Sequence, residues 1–213
     1  MSNNIGDIKE AVVSGKHKEI ESLVKASINE GTNLNAIINN AMIAAMDIVG
    51  QKFVDNEIYI PEMLASGITM KKGLSLIKPL LKPEETEANG TIIMCTVKGD
   101  LHDIGKNLVI IMLEGAGYAV IDLGVDLTVE KLIQKIKEIK PDILGLSALL
   151  TTTMPEIENV IEALKDNGLR KSVKVMVGGA PIDARFAEEI GADGYGKDAA
   201  EAVKQARMLI ARK

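Results

Sequence analysis

Three short groups of residues in this 213-residue chain could do chemistry. The first, Asp100-Leu101-His102-Asp103-Ile104-Gly105, contains one of only two histidines. The second is Ser147-Ala148-Leu149 with the hydroxyl run Thr151 to Thr153, and the third is the pair Gly178-Gly179. An imidazole changes charge near neutral pH and is a common metal ligand, although a loop histidine taken alone reads first as a hydrogen-bonding group. Asp100 has a rival reading as the acid of a phospho-accepting switch domain, which would leave His102 and the paired glycines without a role. Two adjacent glycines make a tight strand-to-helix turn, and they also let a ligand approach the backbone. The glycine spacing in "GDLHDIG" is wrong for a dinucleotide fingerprint, so a nicotinamide cofactor is disfavoured.

The elements that must position these groups divide the chain into two halves. Up to about residue 82 apolar residues recur at helical spacing, in "EIESLVKASI", "LNAIINNAMIAAMDIVGQKF" and "PEMLASGITMKKGLSLIKPLL". This half reads as a bundle of about four helices, with breaks at "SGK", "NEGTN" and "DNEIYIP" and with Pro61 suited to a first helical turn. The charged stretch "KPEETEANG", residues 82 to 90, reads as a linker and puts the domain boundary between 1–88 and 89–213. From there β-branched runs, "TIIMCTV", "AVIDLG", "DILGLSA", "VKVMVGG" and "DGYG", alternate with helices expected to begin near Ile104, Thr128, Thr152, Ile182 and Asp198. Such alternation predicts a doubly wound, five-stranded parallel sheet, Rossmann-like or flavodoxin-like, in an α/β chain. Ligands of such sheets bind at the carboxyl ends of the strands. The three groups stand at the ends of the first, third and fourth strands, and they converge if those strands are neighbours.

Together the three groups carry a resemblance. Asp100-x-His102-x-x-Gly105, Ser147-x-Leu149 and Gly178-Gly179, with 41 and 28 residues between them, resemble the three-part signature of cobalamin-binding domains. A helical bundle ahead of such a domain is similar to the cap of the methyl-transferring branch, seen in methionine synthase and in the small corrinoid proteins of methyltransferase systems. The resemblance implies cobalamin or another cobamide as cofactor, held as methylcobalamin or as Co(I) cobalamin. It makes His102 the axial ligand to cobalt, with the nucleotide base displaced. It also implies that Asp100 takes the second ring N–H of His102, with Thr153 continuing the relay where methionine synthase has serine. Ser147, Leu149 and Thr151 would line the slot for the nucleotide tail, while Gly105, Gly178 and Gly179 would let it pass close to the backbone. For Asp103 and Lys106 tail contact stays open beside a plain helix-terminal charge and a solvated lysine. Phe53 and Ile60, seven positions apart in a chain that is only 2% aromatic, would press on the reactive face of the corrin. Ordinary bundle core is their alternative.

By this resemblance the chain has no catalytic residue or substrate site of its own. It would carry a methyl group between a substrate-specific methyltransferase and an acceptor methyltransferase, with a corrinoid reductive activase as a third partner. The methyl donor would be a methylamine or quaternary amine, and the acceptor tetrahydrofolate or a thiol such as coenzyme M. Two other functions share the binding domain. The cobalamin-binding subunit of an adenosylcobalamin-dependent mutase would need the face that the cap covers. A cobalamin-dependent sensor acting on DNA would need a basic recognition helix, and none is evident. A net charge of −5 speaks against nucleic acid as a partner. The opening "MSNNIGDIKE" has no basic n-region or apolar h-region, and no apolar run is long enough to span a bilayer, so no membrane association and a cytoplasmic location are expected. The single Cys95 lies in an apolar strand and reads as a small buried hydrophobe.

Overall fold

A computed structural model of the chain describes residues 4–81 and 88–211, so most of the expected linker, residues 82–87, lies outside the described residues. The chain divides into two compact units, one running to Ala88 and including Glu114–Gly117, the other holding Asn89–Leu113 and Tyr118–Lys213.

The first unit is built from α1 (Asn4–Val13), α2 (Ile20–Asn29), a helical run from α3 (Leu34–Ala36) through a π-helical stretch (Ile37–Ile43) to α4 (Ala44–Val54), and α5 (Ile60–Ile77). Two of these starts have a local cause. Asn33 accepts the Ala36 N–H at 3.1 Å, and at α5 the Glu62 carboxylate reaches back to the Tyr59 N–H at 3.0 Å with Pro61 in the first turn. The apolar stripes meet in a core of Ile8, Val12, Ile20, Val24, Ile37, Met42, Met46, Val49, Met63 and Met70, all essentially without exposed surface. The segment that reads as one helix in sequence is thus continuous, but its middle is wound more widely than an α-helix.

The second unit is a five-stranded, wholly parallel sheet in the order β2-β1-β3-β4-β5. Its strands are β1 (Thr91–Thr96), β2 (Ala119–Asp122), β3 (Ile143–Ser147), β4 (Lys174–Gly178) and β5 (Gly194–Tyr195). Between and after them run α6 (Ile104–Gly115), α7 (Val129–Ile139), α8 (Met154–Asp166), α9 (Ala184–Glu189) and α10 (Ala199–Ala211). β1 and β3 are interior strands whose residues are almost all buried, which explains why they read as unbroken apolar runs. Ile93, Cys95, Leu144, Leu146, Val175 and Val177 form a core with Leu132 and Ile136 of α7 and Ile157, Val160 and Ile161 of α8. The register pairs Thr96 with Ser147 and Ser147 with Gly178, so the last residues of β1, β3 and β4 stand abreast on one rim.

Candidate cofactor site

The centre of this rim is the Asp100 carboxylate, which has no exposed surface. Its Oδ1 accepts the His102 backbone N–H at 3.0 Å and lies 2.8 Å from His102 Nδ1. Its Oδ2 accepts the backbone N–H groups of Leu149 at 2.7 Å and Leu150 at 3.3 Å, and the Thr153 hydroxyl at 2.8 Å. Burial alone would push this carboxyl upward. Hydrogen bonds from Leu149, from the His102 backbone and ring, and from Thr153 outweigh it and hold the group well below the usual carboxylate range. An ionised carboxylate can only accept, so Nδ1 of His102 carries a proton and donates it to Asp100, which leaves Nε2 as the nitrogen not engaged by Asp100. The His102 side chain is half exposed, at 51%, and its peptide is fixed from below, because the buried Thr96 hydroxyl donates to the His102 carbonyl at 3.0 Å.

Other sequence-predicted residues surround this centre. Asp103 directly precedes α6, and its carboxylate accepts the Asn107 side-chain amide at 3.1 Å. Gly105, in the first turn of α6, faces open space: a Cβ there would meet nothing within 4 Å. Ser147 ends β3, while Leu149 and Thr151 lie exposed in the turn leading to α8. At Gly178 and Gly179 the close approach is made by the protein itself. A Cβ on Gly178 would stand 2.9 Å from the Gly196 carbonyl oxygen, and one on Gly179, where φ is +132°, would stand 1.8 Å from that of Ala148. Phe53, near the end of α4 and half-buried, and Ile60, the first residue of α5 and 42% exposed, belong to the helical unit.

Lys106 is neither solvated nor a surface charge, the alternative that sequence left open. Its side chain is 1% exposed, and its ammonium lies 2.6 Å from Asp122 Oδ1 at the end of β2 and 3.1 Å from Asn107 Oδ1. A buried cation needs such a partner, and this one ties the first turn of α6 to the neighbouring strand.

Sequence reasoning named Leu149 but missed the apolar rim that it forms with Leu101, Ile104 and Leu150. Leu101 and Ile104 are 71% and 74% exposed, and Leu149 and Leu150 41% each, on the two segments that meet at Asp100. The available signal was their placement: large aliphatic residues in turns at strand ends, where no core requires them.

Residues 90–204 match a family described as the B12 binding domain, and residues 5–78 match a second family with the same description. A corrinoid protein of Desulfitobacterium hafniense (strain Y51) is 37% identical over 211 residues, 98% of either chain. The chain belongs to the corrinoid proteins. The dimethylamine corrinoid protein 1 of Methanosarcina acetivorans is 40% identical over 203 residues, 94% of each chain. Among solved structures, the methanol:cobalamin methyltransferase complex of Methanosarcina barkeri contains a chain similar to this corrinoid protein. The TM-score is 0.89 at 29% identity, over 100% of this chain and 81% of that one. The fold expected from sequence, helices followed by a five-stranded parallel sheet of cobalamin-binding type, is therefore the fold of this corrinoid protein.

A cobamide is the resident cofactor of a corrinoid protein, and the residues of this rim fit one. The half-exposed His102 ring, held by Asp100 through Nδ1, leaves Nε2 as the nitrogen that could ligate a metal. Gly105 leaves the backbone of α6 uncovered, and four exposed aliphatic side chains suit the apolar face of a macrocycle. Among the described residues no group of three or more His, Cys, Asp and Glu could hold a metal ion. No helix among the described residues is long and apolar enough to cross a membrane.

Proposed function

We propose that this corrinoid protein receives a methyl group from a substrate-specific methyltransferase and presents it to a second methyltransferase. The cobalt of the bound cobamide supplies the chemistry, taking up and yielding the methyl group, and the protein ligates, orients and shields it. The observation that carries this reading is the hydrogen-bonded chain Thr153-Asp100-His102. It fixes the tautomer and direction of the imidazole while keeping a charged carboxylate behind it. In this role His102 would ligate the cobalt. Asp100 and Thr153 form a path along which a proton can be held or moved at His102 Nδ1. Ser147, Leu149, Thr151, Asp103 and the glycines Gly105, Gly178 and Gly179 receive the nucleotide tail, and Phe53 and Ile60 protect the methyl group. The likeness to a chain of a solved methyltransferase complex supports a methyltransferase as a partner, and the dimethylamine relative supports an amine as the methyl donor. The acceptor is tetrahydrofolate or a thiol such as coenzyme M, and a reductive activase restores carriers lost to oxidation. All of this proceeds in the cytoplasm.

The test is reconstitution with hydroxocobalamin followed by electron paramagnetic resonance of the Co(II) form, with 15N-labelled imidazole in the histidines. Coupling from a labelled nitrogen that disappears in His102→Ala is expected. Coupling from the cofactor's own benzimidazole nitrogen would overturn the assignment of His102.

A further inference from the structure

The loop that carries Asp100 and His102 is held from its outer side by one residue that belongs to none of the three sequence groups. Asp126 lies between β2 and α7, on the opposite side of β1 from β3. Its Oδ1 accepts the Gly99 N–H at 2.7 Å, and its own N–H donates to the Asp100 carbonyl at 3.1 Å. The two bonds hold the Gly99 N–H and the Asp100 carbonyl, one on either side of the peptide joining these residues, whose own N–H donates to the Val97 carbonyl at 3.2 Å. To make them Asp126 takes φ = +52°, a left-handed conformation that a side-chain-bearing residue rarely adopts and that Asp tolerates better than most. Immediately after it, Leu127 bridges to Val97 in parallel, so the bracket is anchored to the end of β1. From the other side, Leu149, Leu150 and Thr153 grip the Asp100 carboxylate.

We infer that Asp126 is a positioning residue for His102, setting the direction of the Asp100 carboxylate, and through it the His102 ring, by holding the Gly99 N–H and the Asp100 carbonyl on either side of the Asp100 Cα. This rests on the reading of His102 as the ligand. The carboxylate has two tasks with different geometric demands, holding Leu149, Leu150 and Thr153 on one oxygen and the His102 ring on the other. With only the Asp100 N–H held, on the Val97 carbonyl, a turn about Gly99, itself at φ = +79°, could satisfy the first and lose the second. The two bonds of Asp126 remove that freedom. The role needs an acceptor oxygen at position 126 and a left-handed backbone, but no negative charge.

Two variants separate these elements. Asp126→Gly keeps the backbone conformation at no steric cost and deletes the acceptor; Asp126→Asn keeps both. In the cofactor-free protein, amide hydrogen exchange at Gly99 and His102 should accelerate about tenfold in the Gly variant, the loss of one hydrogen bond, and remain as in wild type in the Asn variant. After loading with hydroxocobalamin and reduction to Co(II), the fraction of cobalt coupled to a 15N-imidazole nitrogen should fall severalfold in Asp126→Gly and recover in Asp126→Asn. Faster exchange with unchanged coupling would make Asp126 a loop residue only, and unchanged exchange would remove the clamp itself; either overturns the inference. A Gly variant that no longer melts cooperatively would make Asp126 a folding residue and overturn it as well. Absence of imidazole coupling in the wild type would instead remove the ligand assignment, and the inference with it, while leaving the exchange result to stand on its own.

Discussion

Asparagine in place of Asp100 keeps one acceptor oxygen but turns the other into an NH2 group facing donors. Leu149 N–H, Leu150 N–H and the Thr153 hydroxyl all point at Oδ2, and the His102 backbone and ring at Oδ1, so either orientation of the amide sets donor against donor in a site without solvent. The cofactor-free Asp100→Asn protein should therefore lose about 2–4 kcal/mol, read as a lower urea midpoint at unchanged slope. Thr153→Ser should be nearly neutral and Thr153→Val cost about 1–3 kcal/mol, because only the hydroxyl is needed. Equal midpoints for Thr153→Ser and Thr153→Val would deny that hydroxyl its role. Cys95 provides a pH test. Burial, offset in part by Lys106 and reinforced by Asp122, pushes its thiol from an ordinary 9.0 to about 12. A raised thiol pKa stabilises the fold fully below the ordinary value and ceases to do so as pH climbs to the folded value, so a Cys95-dependent loss of stability belongs to the window from pH 9 to 12. At pH 8.5 iodoacetamide should leave native Cys95 intact and label it once urea unfolds the chain; labelling of the folded protein would contradict its burial. The burial of Cys95 was legible from its apolar strand, whereas the fate of Lys106 was not. Its partner Asp122 closes a strand 16 residues away, and no local pattern announces that pairing.

At the scale of elements, the helices were readable from the 3.6-residue period of their apolar positions and the strands as short β-branched runs between them. Helices anticipated near Ile104, Thr128, Ile182 and Asp198 begin at Ile104, Val129, Ala184 and Ala199. The wide-wound stretch Ile37–Ile43 was not readable, since an apolar stripe survives one wider turn without a visible break. Asp126 escaped notice for a related reason: its loop follows β2, outside the three strand ends that carry the signature residues. Gly105 and Gly179 looked alike in sequence as openings for a ligand, yet the structure separates their reasons. Gly105 borders empty space, whereas Gly179 is pressed against the Ala148 carbonyl oxygen. Gly105→Ala should then melt at or slightly above the wild-type temperature, an alanine favouring a helix by up to about 1 kcal/mol, but retain less cobamide. Gly179→Ala should lower the melting temperature of the cofactor-free protein sharply or prevent folding. Calorimetry of both variants without cofactor decides this, and a similar penalty for the two would show that the space at Gly105 is needed by the protein itself.

For the whole molecule, sequence distinguished two halves by their grammar, and the compact units divide next to Ala88, with only Glu114–Gly117 counted across. Phe53 and Ile60 are the helical half's contribution to the proposed function. Phe53→Ala should leave cobamide retention near wild type and hasten photolysis of the methylated protein. Loss of cobamide with unchanged photolysis in the remainder would make Phe53 ordinary core. The sheet order has a further consequence during synthesis. β1 and Asp100 leave the ribosome early, but the groups that grip the Asp100 carboxylate follow 49, 50 and 53 residues later. At about 5–20 residues per second, translation leaves that carboxylate in water for several seconds, and β3 must also insert beside β1 before the grip can close. A nascent chain arrested before Thr153 has therefore made His102 without fixing it. If His102 ligates the cobamide as proposed, capture of the cofactor becomes a checkpoint that only a chain translated well past the third strand can pass.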